Sequence, residues 1–206
     1  MAVTRVKICG LTLPQDLEAA LEYGADAVGF VFESTSPRYL TEEKAKDLLQ
    51  RVPPFVFRVG VYGALHGDCP RTLLDACQAV HWGAFAFSQD LFVRKILALR
   101  LGRGPGKIDE AKRAAADYDA LLLDAYDEKA FGGTGKKVDW GFAAEVVAAV
   151  SKPVILAGGL TPENVAEAVA KVGPFAVDVS SGVESEPGIK DPLKIRDFIQ
   201  AAQGSG

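Results

Sequence analysis

Short runs rich in apolar residues alternate with amphipathic stretches along this chain, and that alternation limits its possible folds more than any other feature. Residues 3–9, 27–32, 55–62, 120–124, 153–157 and 175–179 read as strands. Between them, apolar residues recur at helical spacing, as at Leu17, Ala20 and Leu21, and over 41–50, 140–150, 162–171 and 192–200. Pro14 stands where the start of a helix tolerates it. Thr41, Glu42, Glu43 and Lys44 put acids into a first turn, where the helix dipole favours them. Strands that are apolar on both faces, with a helix after each, predict a parallel sheet buried on both sides.

The stretch between Tyr62 and Ala120 is less regular. Residues 70–79 read as a third helix and 80–87 as a fourth strand, rich in aromatics. Residues 95–101 read as a fifth strand, although 93–100 also has helical spacing. A glycine-rich break at 102–106 precedes a charged helix at 107–116. Only 88–94 is left for the fourth helix, barely two turns. The count reaches eight strands in 206 residues, the lower size limit for an α/β chain closed into a (β/α)8 TIM barrel. We therefore expect one barrel domain over 1–206, shortened around its third and fourth βα units. An open, doubly wound sheet is the competing architecture.

Composition narrows the function classes. Hydrophobic residues make up 49% and charged residues 24%, which suits a packed globular core and excludes a disordered or collagen-like chain. A net charge of −4 argues against a nucleic-acid partner. No apolar run approaches the roughly 20 residues that a membrane span needs. Residues 1–10 lack the apolar core of a secretory signal. Three cysteines, Cys9, Cys69 and Cys77, are too few and too scattered for a disulfide framework or a zinc site. These features predict a cytoplasmic chain with no metal and no cofactor.

The strongest local signals lie near the end of the chain. Residues 154–162 run from a strand into Gly158-Gly159 and then a helix start. Residues 177–184 repeat the device with Ser180-Ser181-Gly182. Glycines let backbone N–H groups approach a ligand closely, and a helix N-terminus adds positive potential. Loops after strands seven and eight of a barrel commonly hold a phosphate. A single such turn would read as a tight connection only; two in consecutive units favour a phosphorylated small molecule.

Cys9 closes the first strand and Asp124 the sixth, after Leu121-Leu122-Leu123. A lone cysteine is most often a buried small hydrophobe. At a strand end over a barrel mouth, a thiol can instead accept a proton. A carboxylate after so apolar a run is either a turn former or a proton donor. Residues 125–138, with Gly132-Gly133-Thr134-Gly135-Lys136, are long enough to fold over a site as a lid. That glycine string resembles a phosphate-binding P-loop only superficially, because its spacing is wrong. Arg38, beside Pro37 in the loop after strand two, can clamp a carboxylate bidentately. Asp178 can accept a substrate N–H, or organise Arg38 or a turn. His66 and His81 fit no triad and read as non-catalytic.

Taken together and in order, these strings resemble the phosphoribosylanthranilate isomerase family of tryptophan biosynthesis. They are Lys7-Ile8-Cys9-Gly10-Leu11-Thr12, Ser36-Pro37-Arg38, Leu122-Leu123-Asp124-Ala125, residues 132–136, Asp139-Trp140, residues 157–165, residues 178–184 and Gly188-Ile189-Lys190-Asp191. The resemblance implies an eight-stranded barrel and an Amadori rearrangement of N-(5-phosphoribosyl)anthranilate to 1-(2-carboxyphenylamino)-1-deoxyribulose 5-phosphate. By the same resemblance, Asp124 is the general acid at the ribose ring oxygen and Cys9 the general base at C2. Arg38 holds the anthranilate carboxylate and Asp178 contacts its amine. Gly159, Ser181 and Gly182, with Gly158 and Ser180 beside them, supply the phosphate site. We expect a monomer or a homodimer; the sequence is compatible with both.

One stretch departs from the family pattern. The family usually ends strand four in Gln-Leu-His-Gly followed by an acid; here Leu65-His66-Gly67-Asp68 directly follows strand three. We expect the fourth helix to be cut down, because 70–79 makes a good third helix. The alternative places the fourth strand at 65–68 and deletes the third helix. Two other functions compete. The sugar isomerase of histidine synthesis shares the chemistry but has an aspartate where Cys9 stands. A catalytically silent binder of phosphorylated metabolites would have no use for the Cys9–Asp124 pair.

Overall fold

A computed structural model describes residues 3–63, 73–79, 93–100, 104–124 and 139–204. Eight parallel strands close into a barrel in chain order. They are β1 (Arg5–Cys9), β2 (Ala27–Val31), β3 (Phe57–Tyr62), β4 (Ala76–Ala79), β5 (Arg94–Leu99), β6 (Ala120–Leu123), β7 (Val154–Leu156) and β8 (Ala176–Val179). The helices α1 (Pro14–Glu22), α2 (Glu42–Gln50), α3 (Lys107–Asp117), α4 (Trp140–Ala149), α5 (Val165–Val172) and α6 (Pro192–Gln203) accompany them. A two-stranded antiparallel ribbon, β9 (Glu184–Glu186) and β10 (Ile189–Lys190), follows β8. The closed ring excludes the doubly wound sheet.

Alternation along each strand sorts the side chains into two cores. Val6 and Ile8 of β1, with Val28 and Phe30 of β2, point outward and pack with Leu17, Leu48, Phe198 and Ile199 of the helices. Val59, Ala76, Ile96, Ala98, Leu122, Ile155, Ala157 and Ala176 fill the barrel interior. Side-chain caps help set the helix starts. Thr41 accepts from Lys44 N, Asp139 from Phe142 N, and Asp191 from both Leu193 N and Lys194 N. Among the described residues, no helix is long and apolar enough to cross a membrane.

An aspartate immediately before each of β2, β4 and β6 ties that strand to the previous one. Asp26 donates its N–H to Val6 O (2.9 Å) and accepts Val6 N–H on Oδ2 (2.8 Å). Asp75 does the same with Arg58 (2.9 and 2.9 Å), and Asp119 with Lys95 (2.9 and 2.8 Å). The side chain satisfies an N–H at the strand start that would otherwise face apolar packing. Asp75 also grips the Arg58 guanidinium through two bonds of 2.8 and 2.9 Å. Partial burial pushes the Asp75 carboxyl up, but these bonds hold it below its ordinary value.

The fourth strand corrects the expectation for the irregular stretch. Ala76–Ala79 is β4, paired with Val59–Tyr62 on one side and Arg94–Leu97 on the other. The end of the expected third helix is thus strand, and Cys77 is a buried strand residue. Leu74 and Cys77 are spaced like a helix face, but the Asp75–Arg58 clamp holds the chain extended. The region is still short: 13 residues separate Tyr62 from Ala76 and 14 separate Ala79 from Arg94. β5 covers Arg94–Leu99, so the helical alternative there is excluded. The expected strand at 80–87, His66, His81, Cys69, the string 65–68 and the expected lid at 125–138 lie outside the described residues.

Candidate active site

All eight strands are parallel, so their C-terminal ends open on one mouth. Most of the proposed site residues lie at or just beyond such an end; Asp178 is the next-to-last residue of β8, and Arg38 lies in the loop that follows β2. Cys9 is the last residue of β1, in register with Gly29 of β2. Asp124 follows β6, with its N–H bonded to Leu99 O at 3.1 Å, which continues the ladder by one residue. Leu122 points into the interior, so Asp124, two residues on, projects to the same side over the mouth. Gly158 and Gly159 follow β7, and Ser180 to Gly182 follow β8.

The glycine signals have definite causes. Gly158 (φ +79°) and Gly159 (φ +67°) take left-handed backbone that a side chain would strain. Asn164 holds their turn, donating to Gly159 O and accepting from Thr161 N, each at 2.9 Å. A Cβ on Gly182 would overlap the Leu160 carbonyl oxygen, so only glycine lets the loops after β7 and β8 meet. Gly10 (φ +74°) leaves room for the stem of Arg38: a Cβ there would sit 2.5 Å from Arg38 Cδ and 3.0 Å from Ser180 Oγ. Arg38 therefore lies across the end of β1, next to Cys9.

A buried charge network underlies this mouth. Glu184 accepts from Arg38 Nε and Nη2, both at 2.7 Å, and from Lys190 Nζ at 2.8 Å. Lys190 Nζ also donates to Ser180 O (3.2 Å) and Ser180 Oγ (3.4 Å). Burial pushes the Glu184 carboxyl up, but Arg38 and Lys190 hold it below the usual carboxylate range. Burial pulls Lys190 below the ordinary lysine value despite Glu184.

Deeper in the barrel, Lys7 Nζ donates to Asp178 Oδ1 at 2.8 Å and to Gln78 Oε1 at 3.2 Å. These bonds link β1 to β8 and, across the interior, to β4. Cys9 lies directly above. A point one bond above Gly29 Cα is 2.8 Å from Cys9 Sγ and 3.1 Å from Lys7 Nζ, so thiol and ammonium share the space that Gly29 leaves. Burial pushes the Cys9 thiol up, opposed chiefly by the Lys7 charge. Sequence reasoning assigned no role to Lys7, Gln78, Glu184 or Lys190. An intrastrand lysine one residue before an apolar pair was the available signal for Lys7; the interior of a closed barrel is where such a residue needs partners.

The arrangement offers a thiol, a carboxyl, a buried cation network and two glycine turns around one opening. Comparison with known proteins gives these groups a context. The sequence profile of the family described as N-(5'phosphoribosyl)anthranilate (PRA) isomerase matches residues 6–201. The N-(5'-phosphoribosyl)anthranilate isomerase of Geotalea uraniireducens (strain Rf4) is 45% identical over 208 residues, covering 98% of this chain and all of that one. The protein of that name from Pseudomonas fluorescens (strain Pf0-1) is 44% identical, covering 98% of this chain. The crystal structure of phosphoribosyl anthranilate isomerase from Thermotoga maritima superposes with a TM-score of 0.86 at 37% identity, covering 98% and 99% of the two chains. Another crystal structure of this isomerase, in complex with reduced 1-(o-carboxyphenylamino)-1-deoxyribulose 5-phosphate, gives 0.83 at 35% identity with the same coverage. Motif order, barrel topology and full-length similarity agree, and the chain belongs to the phosphoribosylanthranilate isomerase family of enzymes.

Proposed function

We propose that the protein converts N-(5'-phosphoribosyl)anthranilate to 1-(2-carboxyphenylamino)-1-deoxyribulose 5-phosphate, in tryptophan biosynthesis, with Asp124 as acid and Cys9 as base. The observation that carries this reading is the convergence of the ends of β1 and β6 on the mouth that the β7 and β8 turns also border. The reaction needs one proton delivered to the ring oxygen and one removed from C2. Asp124 gives its proton as the C1–O bond breaks, leaving an open-chain iminium. Cys9, as thiolate, takes the C2 proton, and the electron pair neutralises the iminium nitrogen to give an enolamine. The enolamine takes a proton at C1 as its hydroxyl releases one, which yields the ketone. No electrons leave the substrate, so no redox cofactor takes part.

Binding follows from the same groups. N–H groups of the turns at Gly158–Gly159 and Ser180–Gly182 take the phosphate. Glu184 uses two of the five Arg38 N–H donors, which leaves three for the anthranilate carboxylate. Asp178 gives one oxygen to Lys7 and the other to the anthranilate N–H. Grips at both ends of the substrate fix the reacting carbon, and positioning of this kind supplies what acid–base catalysis alone does not. The protein works as one barrel domain, cytoplasmic, without nucleic-acid or membrane partners. Val3, Phe55, Phe57 and Phe175 are exposed apolar residues near the N-terminal ends of the strands, opposite the mouth, and they support the homodimer over the monomer.

Disappearance of substrate fluorescence tests the assignment. Cys9→Ala and Asp124→Asn should each lower kcat by about 10²–10⁴-fold with KM changed little. Normal turnover in either variant reassigns that role.

A further inference from the structure

Lys7 has no part in the acid–base step as written, yet it holds a central place in the barrel. Its side chain is 3% exposed and its ammonium is bonded to β8 and β4 at once. A buried ion pair stabilises a fold poorly compared with apolar residues of the same size, so stability alone does not account for it. The ammonium has three donors. Two go to Asp178 and Gln78, and the third remains beside Cys9 Sγ, within the space above Gly29.

We propose that Lys7 is a positioning residue for the base: its buried ammonium, fixed by Asp178 and Gln78, is the counter-charge that allows Cys9 to become a thiolate. This inference rests on the functional reading above. A thiol deep in a barrel is seldom ionised, because burial disfavours its charged form, so little of the thiolate that acts as base is present. Among the described residues, four charged groups act on Cys9: Lys7 from its own strand, Asp178 from β8, Arg38 from the loop after β2, and Lys190 from β10. Lys7 opposes burial most strongly, and Asp178 acts the other way. Burial pulls Lys7 down, but Asp178 and, after it, the Cys9 thiolate hold it above its ordinary value. Gly29 completes the device, since any side chain there would separate thiol from ammonium.

The test uses the full chain with Lys7→Met and with Lys7→Met/Asp178→Asn. The readout is the pH dependence of Cys9 alkylation by iodoacetamide, followed peptide by peptide by mass spectrometry so that Cys69 and Cys77 do not interfere. It needs no substrate. Removing the cation should raise the Cys9 midpoint by about one unit or more. The acidic limb of kcat/KM should move up with it, a roughly tenfold loss per unit at fixed pH below the midpoint. The double variant removes the pair as a whole and keeps the core neutral. Its midpoint should lie above the wild-type value and below that of Lys7→Met, and it carries the test if the single variant does not fold. An unchanged Cys9 midpoint in folded protein overturns the role of Lys7, even if the wild-type protein is an active isomerase. A shifted midpoint in a protein without isomerase activity supports the Lys7–Cys9 coupling and overturns the functional reading instead.

Discussion

Gly29→Ala probes the site without removing any of its groups. A Cβ at this position would lie 2.8 Å from Cys9 Sγ, 3.1 Å from Cys9 Cα and 3.1 Å from Lys7 Nζ. Carbon and sulfur atoms pack comfortably at about 3.5–4.0 Å, so the sulfur must retreat by roughly 0.7–1.2 Å. The Cys9 Cα belongs to the β1 ladder and moves only with the strand. Two effects oppose each other. Alanine suits extended backbone better than glycine by about 0.5–1 kcal/mol. Overpacking a filled interior costs about 1–3 kcal/mol, so destabilisation wins. Displacing a catalytic group by about 1 Å costs on the order of a hundredfold in rate. Thermal unfolding should therefore show a modest loss of Tm, and the fluorescence assay a large fall in kcat with KM nearly unchanged. A Gly29→Ala protein with the wild-type Tm and kcat would refute the packing of thiol, ammonium and glycine described above.

The Asp–strand ties make a second prediction. Asp26→Ala leaves the buried Val6 N–H without its side-chain acceptor and should cost about 1–3 kcal/mol in denaturant unfolding, while Asp26→Asn, which keeps an acceptor oxygen, should recover most of it. Equal stability of the two variants would contradict this. Glu184 carries a third. Its folded-state pKa is depressed, so its contribution is present above the unfolded carboxylate value and lost as pH falls through the folded one. Glu184→Gln should lower Tm at neutral pH and flatten its decline below the ordinary glutamate range; parallel Tm–pH curves for variant and wild type would exclude the network as a source of acid sensitivity.

How much of this was legible in the sequence depends on where each residue's partners lie. The first three and last three strands were readable because each carries a dense group of β-branched or other apolar residues between turn or helix signals, despite Lys7, Arg58 and Asp178, and helix starts such as Thr41 and Asp139 carry local caps. β4 was not, because Leu74 and Cys77 mimic a helix face and Gln78 interrupts the apolar run. A local signal did exist: Asp75-Ala76 repeats Asp26-Ala27 and Asp119-Ala120, each marking a strand start. The glycine turns, Cys9 and Asp124 stood out because glycine geometry and isolated polar groups at strand ends are local features. Lys7 and Gln78 did not, since a polar residue inside a strand normally faces water, and only barrel closure turns that face inward. Arg38 was identified by its loop, but its ion pair with Glu184 spans 146 residues and has no local trace.

The central claim is that Cys9 at C2 and Asp124 at the ring oxygen flank the reacting end of a sugar phosphate anchored by the β7 and β8 turns. A crystal structure of this protein with a reduced product analogue tests it most directly. The account predicts the phosphate on the N–H groups of Gly159 and Ser181–Gly182, with Cys9 Sγ within about 3–4 Å of C2 and the Asp124 carboxyl on the opposite side of the same chain. A phosphate bound elsewhere, or an analogue that leaves either side chain out of reach, would contradict it.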